Sequence, residues 1–245
     1  MRNIKLILQY NGKNYYGFQR QPNKPTIQGE VEKALSTLLR ERISIIGSGR
    51  TDAGVHAFRQ VANFRTNSDT SVYRLKWSVN ALLPSDIVVI EACEVGDNFD
   101  SRRDAISREY HYFILNRGYP TVFVPDFCYF LARSLNFALM QEAADKFLGV
   151  HNFSSFCVRK GWKDESYVKT VYEVKCSKDE HGLIKIGIKA DSFLHHMVRC
   201  MVGALIQVGL GNLEIEEIPK ILERKKRVGY LAPSQGLILM NVQYP

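Results

Sequence analysis

The chain has 245 residues, 45% of them hydrophobic and 24% charged, and 33 basic against 25 acidic residues leave a net charge of +8. That length allows one large or two small domains with cores of their own, and the composition excludes a disordered or fibrous protein. The positive balance favours a polyanionic partner. Cys93, Cys128, Cys157, Cys176 and Cys200 lie far apart with no Cys-x-x-Cys. Their spacing argues against a zinc site and for reduced thiols in a cytoplasmic protein.

In chain order, Ile4, Leu6, Leu8 and Tyr10 alternate with polar neighbours and predict a strand with one wet face, with no signal-peptide pattern ahead of it. Pro25-Thr26 starts a helix whose apolar face is Ile27, Val31, Leu35 and Leu38. A strand, a glycine-rich loop and a second strand follow across residues 43–64, then a helix from Val72 to Leu82 and a strand from Ile87 to Val95. The second half has a strand at Tyr110–Leu115, a helix at Leu135–Leu148 and a polar loop over 149–166. Strands at Val168–Cys176 and Leu183–Ala190, helices at Phe193–Leu210 and Ile215–Arg224, and a closing strand at Leu237–Tyr244 complete it. The run Phe193–Leu210 is broken by His195, His196, Arg199 and Gln207, so it reads as a buried helix and not as a membrane span. The fold class expected is α+β, in two α+β halves divided after Ser101 (1–101 and 102–245).

The loop Gly47-Ser48-Gly49-Arg50-Thr51-Asp52-Ala53-Gly54-Val55-His56-Ala57 is the most informative stretch. Its glycines allow a sharp turn and a close approach by another molecule. Asp52 stands where the dinucleotide fingerprint needs its third glycine, and no Gly-Lys-Ser/Thr follows, so neither nucleotide-binding loop fits. On local pattern alone, a turn whose Asp caps a backbone amide competes with a loop that presents Asp52 for chemistry.

The run Gly49 to Ala57 resembles the signature of the TruA family of tRNA pseudouridine synthases. Further matches are Tyr10-Asn11-Gly12, Tyr16-Gly17-Phe18-Gln19, Thr26-Ile27-Gln28-Gly29, Asn80-Ala81-Leu82-Leu83-Pro84-x-Asp86-Ile87 and Arg108-x-Tyr110-x-Tyr112. His151-x-Phe153-x-Ser155-Phe156, Phe193 to Arg199, and Ala232-Pro233-x-x-Gly236-Leu237 continue the likeness along nearly the whole chain. Asn11 stands where Asp is common in the family and Phe18 where Trp is frequent. The resemblance implies the pseudouridine synthase fold, a mixed and largely antiparallel sheet with a central cleft. It implies isomerisation of uridine to pseudouridine in tRNA at nucleotides 38–40 of the anticodon stem-loop, by a cofactor-independent homodimer.

For the site, the resemblance makes Asp52 the nucleophile. Arg199 lies in the apolar helical run Met197–Val202, where a guanidinium either pairs or snorkels to the surface; the resemblance selects a pair with Asp52. Tyr110 and Tyr112 share one strand face, and packing aromatics are usual there. The resemblance sets Tyr110 against the target uracil, stacked and assisting removal of the C5 proton. Arg50 takes the place vacated by a flipped base or holds a phosphate, and Leu237 forms an apolar wall. Basic clusters at Arg102-Arg103, Arg159-Lys160-Gly161-Trp162-Lys163 and Arg224-Lys225-Lys226-Arg227 suit a phosphate-following surface. His56, His195 and His196 have no metal-ligand spacing and read as structural or RNA-proximal. Rival readings are the same chemistry on another RNA site and an RNA-binding module with a decayed site. A glycoside hydrolase would need a second carboxylate that the motif lacks.

Overall fold

The computed structural model describes residues 1–158, 167–223 and 229–245. Two units partition the chain, Met1–Ile106 together with Leu239–Pro245, and Ser107–Ile238. The division therefore falls after Ile106 instead of Ser101, and the closing strand belongs with the first unit from Leu239 onward. Long-range bonds decide this. The Ile106 amide donates to the Gln243 carbonyl at 2.9 Å, the Tyr244 hydroxyl donates to the Ser101 carbonyl at 2.6 Å, and Tyr244 packs on Phe99. Nothing in local composition marks such pairings.

The first unit contains β1 (Arg2–Tyr10), α1 (Ile27–Leu39), β2 (Ile46–Gly47), β3 (His56–Thr66), α2 (Val72–Asn80), β4 (Ile87–Val95) and, from Leu239 onward, β10 (Leu237–Gln243). Its strands are ordered β4-β1-β3-β10, with β2 on β3, and β1 runs antiparallel to both of its neighbours. Ile4, Leu6, Leu8 and Tyr10 are buried as their spacing predicts. The expected wet face is half covered, with Asn3 and Ile7 buried as well. The segment after β4 folds over it: Asn3 Nδ2 donates to the carbonyls of Gly96 and Phe99 at 3.0 and 2.9 Å, and Asn63 Nδ2 donates to Asn3 Oδ1. Pairing these amides satisfies groups whose burial would otherwise cost about 1–3 kcal/mol each.

Helix α1 begins at the predicted place because the Thr26 hydroxyl accepts from the Gly29 amide, and it ends where Arg40 turns left-handed (φ 55). Ile27, Val31 and Leu35 are fully buried, each burial contributing about 1.5–3 kcal/mol. Glu32 is buried too, which the apolar spacing does not predict. Its carboxylate accepts from Gln28 Nε2, the Ile45 amide and Arg20 Nη1 at 2.9, 3.0 and 3.1 Å, tying α1 to the segment that leads into the glycine-rich loop.

The second unit contains β5 (Ser107–Leu115), β6 (Tyr129–Phe130), α3 (Phe137–Asp145), β7 (Gly149–Asn152), β8 (Val168–Lys178), β9 (Leu183–Ala190), α4 (Met197–Gly209) and α5 (Glu217–Leu222). Its strands follow β5-β9-β8-β7, antiparallel at each step, and β6 pairs parallel with β5. The predicted polar loop is thus partly structured, because β7 pairs with β8 and a 3-10 turn at Ser154–Phe156 follows. Phe153 and Phe156 are fully buried there, in edge contact with each other and, through Phe156, with Phe147. Helix α3 starts later than predicted because the Asn136 side chain caps it by accepting from the Leu139 amide, and it ends at Asp145. Helix α4 starts at Met197 and not Phe193, since His196 adopts φ 65, a left-handed conformation that no helix continues through. Eleven of its residues are buried, as an all-round apolar helix requires. Among the described residues no helix is long and apolar enough to cross a membrane.

Candidate active site

The loop carrying Asp52 joins β2 to β3 and is gripped by the segment after β1. The Phe18 amide donates to the Thr51 carbonyl at 3.0 Å, the Gly54 amide to the Tyr15 carbonyl at 3.3 Å, and the Val55 amide to the Asp52 carbonyl at 3.1 Å. Two glycines make this grip sterically possible. A Cβ on Gly12 would lie 2.0 Å from the Val55 carbonyl oxygen, and one on Gly17 (φ 92) would lie 2.7 Å from that of Thr51. The Phe18 ring fills the space beside Gly47, where a Cβ would meet it at 2.4 Å. Within the motif itself, only Gly54 uses positive φ (76), and a Cβ on Gly49 would meet nothing within 4 Å. The loop's sharp course therefore rests on Gly54 and on its neighbours, and Gly49 leaves open space beside Arg50.

The motifs shared with the family acquire distinct jobs here. Asn11 Oδ1 accepts from the Lys13 amide at 3.0 Å, a turn that an aspartate makes equally well. The Tyr15 hydroxyl donates to Asp86 Oδ1 at 2.6 Å, and burial together with that carboxylate raises its pKa. Asn80 clamps Val89 through both its amide groups, at 2.8 and 2.9 Å. The Gly12 amide donates to His56 Nδ1 at 3.1 Å, so that nitrogen is an acceptor and the ring carries its proton on Nε2. Arg50 is exposed, Asp52 half-buried, and their neighbours Ser48 and Thr51 are buried. The two hydroxyl residues of the loop are thus buried, while Arg50 and Asp52 keep exposed surface.

In the second unit, Tyr110 sits on β5, mostly buried, with the Phe193 ring edge-on at 5.2 Å. Tyr112, on the same face, is fully buried and donates to the Pro233 carbonyl at 2.8 Å. Burial raises its pKa, while the nearby Arg199 charge partly offsets the rise. Arg199 lies half-buried in the first turn of α4. Its Nε donates to the Ala232 carbonyl at 2.8 Å, and the Ala232 amide donates back to the Arg199 carbonyl at 3.1 Å. The guanidinium stem is therefore fastened at a fixed point, against the loose surface course that snorkelling would give. The same strap, Ala232 to Gly236, runs against Tyr112: a Cβ on Gly236 would lie 2.7 Å from its ring. It delivers Leu237, buried, to the start of β10. Residues 232–237 thus link Arg199, Tyr112 and Leu237, a connection no sequence spacing discloses. Arg102 and Arg103 are exposed, their amides donating to Asp100 Oδ1. The basic clusters at 159–163 and 224–227 lie outside the described residues.

A family model described as tRNA pseudouridine synthase matches residues 6–103 and 143–245. A tRNA pseudouridine synthase A of Acetivibrio thermocellus is 42% identical over 246 residues, covering 100% of both chains. Relatives of the same name from Thermoanaerobacter and, as tRNA pseudouridine synthase A 2, from Clostridium perfringens are each 40% identical over 246 residues, again covering 100% of both chains. The fold and the matched motifs define an RNA-modifying isomerase of the pseudouridine class. This chain belongs to the tRNA pseudouridine synthase family.

Proposed function

We propose that the chain converts uridine to pseudouridine at nucleotides 38–40 of the tRNA anticodon stem-loop, with Asp52 as nucleophile. The reaction breaks the N1–C1′ bond, turns the uracil and joins C5 to C1′. A proton leaves C5 and one is gained at N1, so the net change is an isomerisation that needs no external oxidant or reductant. The observation that carries the reading is Asp52 itself, half-buried on a loop clamped from both sides, within a full-length family member. A carboxylate held in place rather than free to turn spends little orientational entropy on reaching the reacting centre.

The other assignments follow the chemistry. Arg199 is the cation that pairs with Asp52 when a base covers it, since a carboxylate taken out of water is costly without a counter-charge. Tyr110 lies against the uracil, stacks on it, and assists loss of the C5 proton. The exposed Arg50 fills the gap left by the flipped nucleotide, lowering a cost of a few kcal/mol. Leu237 walls the base. The net charge of +8 suits a phosphate-bearing partner, and the enzyme works in the cytoplasm as a homodimer.

The test is nucleotide-resolution mapping of pseudouridine in an unmodified tRNA transcript treated with wild type or Asp52→Ala. Modification at 38, 39 or 40 by wild type alone is the expected result. Pseudouridine at another site keeps the chemistry and overturns the target, and tRNA binding without conversion overturns the enzyme assignment.

A further inference from the structure

Two buried polar side chains lie behind the Asp52 loop, and the proposed chemistry has not used them. Tyr10, at the end of β1, has its hydroxyl 2.9 Å from Thr51 Oγ1, with both residues buried. Gln60, on β3, is completely buried. Its Oε1 accepts from Ser48 Oγ at 2.6 Å and from the Val61 amide at 3.1 Å. Its Nε2 donates to the Gly49 carbonyl at 3.1 Å, and Gln60 also works against the burial that raises the Tyr10 pKa. The result is a plug of two buried links, Ser48–Gln60–Gly49 and Tyr10–Thr51, that holds the loop on both sides of Arg50 and ends next to Asp52.

Stability alone does not call for this arrangement. A cluster of buried hydroxyls and an amide must be desolvated, and apolar groups of similar shape can replace a hydrogen-bonded pair at little cost. What a fully satisfied polar plug adds is directionality. Apolar packing permits a loop to slide by fractions of an ångström, whereas four hydrogen bonds of fixed geometry select one register. Burial also pushes the Tyr10 phenol up to about 12, so it stays a neutral partner at any physiological pH. With Ser48 and Thr51 both bonded to buried partners, the backbone that carries Arg50 and Asp52 is held from either side.

We propose that Tyr10 and Gln60 are positioning residues for the isomerisation: through Thr51 and Ser48 they fix the aim of Asp52 without touching substrate. The inference rests on the reading of Asp52 as nucleophile. Its test compares Tyr10→Phe, Thr51→Val, Thr51→Ser and the Tyr10→Phe/Thr51→Val pair in the full chain. The measurements are single-turnover pseudouridine formation, tRNA affinity, thermal unfolding and amide hydrogen exchange across 50–53. Tyr10→Phe and Thr51→Val should each slow the chemical step by about tenfold or more while tRNA Kd stays within about twofold. Thr51→Ser, which keeps the hydroxyl, should restore nearly full rate, and the double variant should be no slower than the worse single one, since both break the same link. A Tyr10→Phe rate within about twofold of wild type, multiplicative losses in the double variant, or a loss explained by unfolded protein would each overturn the proposal. The exchange data separate the two readings. If wild type makes no pseudouridine but Tyr10→Phe speeds exchange at 50–53, the plug orders the loop and the nucleophile reading fails; unchanged exchange rejects the plug.

Discussion

The two units hold their functional candidates by opposite means. In the first, Asp52 and Arg50 lie on an irregular loop, whose backbone groups find no partner in a ladder or helix. That loop has to be immobilised from outside, by backbone bonds from Tyr15 and Phe18 and by the Tyr10–Gln60 plug. In the second, Tyr110 and Arg199 stand on a strand and a helix, where the regular backbone already fixes the Cα positions. There Arg199 is tied by one strap, Ala232 to Gly236, which also meets Tyr112, and Tyr110 packs edge-on against Phe193. A reactive group on a loop needs a built clamp, while one on a regular element needs only its rotamer fixed.

That contrast can be broken at several points. The largest effect belongs to Asp52→Ala, which should abolish pseudouridine formation, a loss of at least about a thousandfold, with tRNA binding retained in a filter-binding or shift assay. Arg199→Lys follows: it loses the planar fork and the Nε bond to Ala232, so turnover should drop by about a hundredfold while urea unfolding shifts by only about 1 kcal/mol. Near-wild-type turnover in this variant would reject Arg199 as the partner of Asp52.

Glycine substitutions sharpen the comparison by stability. Gly12→Ala must push a Cβ into the Val55 carbonyl, and Gly236→Ala into the Tyr112 ring and the Phe113 carbonyl. Each should cost about 1–3 kcal/mol or more in urea unfolding, whereas Gly49→Ala, with open space around it, should be within about 0.5 kcal/mol. If Gly49→Ala folds normally yet weakens tRNA binding, the open side of the loop is where RNA approaches.

Smaller effects separate the two tyrosines of β5. Tyr112→Phe leaves the Pro233 carbonyl without its donor and should lower stability by about 1–2 kcal/mol with turnover little changed; Tyr110→Phe should lower turnover and leave tRNA binding intact. The smallest effect is alkaline. Buried Tyr10 and Tyr112 both have raised folded-state pKa values, so their contribution is complete below the ordinary phenol value near 10 and is lost as pH climbs through the higher one. For Tyr10 that window runs from 10.0 to about 12, and Tyr10→Phe should flatten the fall in stability across it.

Much of this was legible beforehand. Periodicity located β1, α1, β4, β9 and the body of α4, because a buried face must repeat at the period of its element. The same logic failed where long-range pairing created structure, as in the short strands β6 and β7, which exist only through β5 and β8. It also missed buried Glu32 and Asn3, polar groups tolerated because distant backbone and side chains satisfy them. The motif residues were found by resemblance, but the cradle around Asp52 was not. Tyr10 and Gln60 are fifty residues apart in sequence and meet only when β1 pairs with β3.

By itself, then, the amino-acid order determined the α+β class and the family, and it singled out Asp52 as the candidate nucleophile, since each is written in local pattern or in a contiguous motif. Only the tertiary structure decided where the units divide, which glycines are sterically required, and which buried side chains bond to the loop. Those outcomes depend on hydrogen bonds and close contacts between residues far apart in the chain, and such contacts leave no local trace in the sequence.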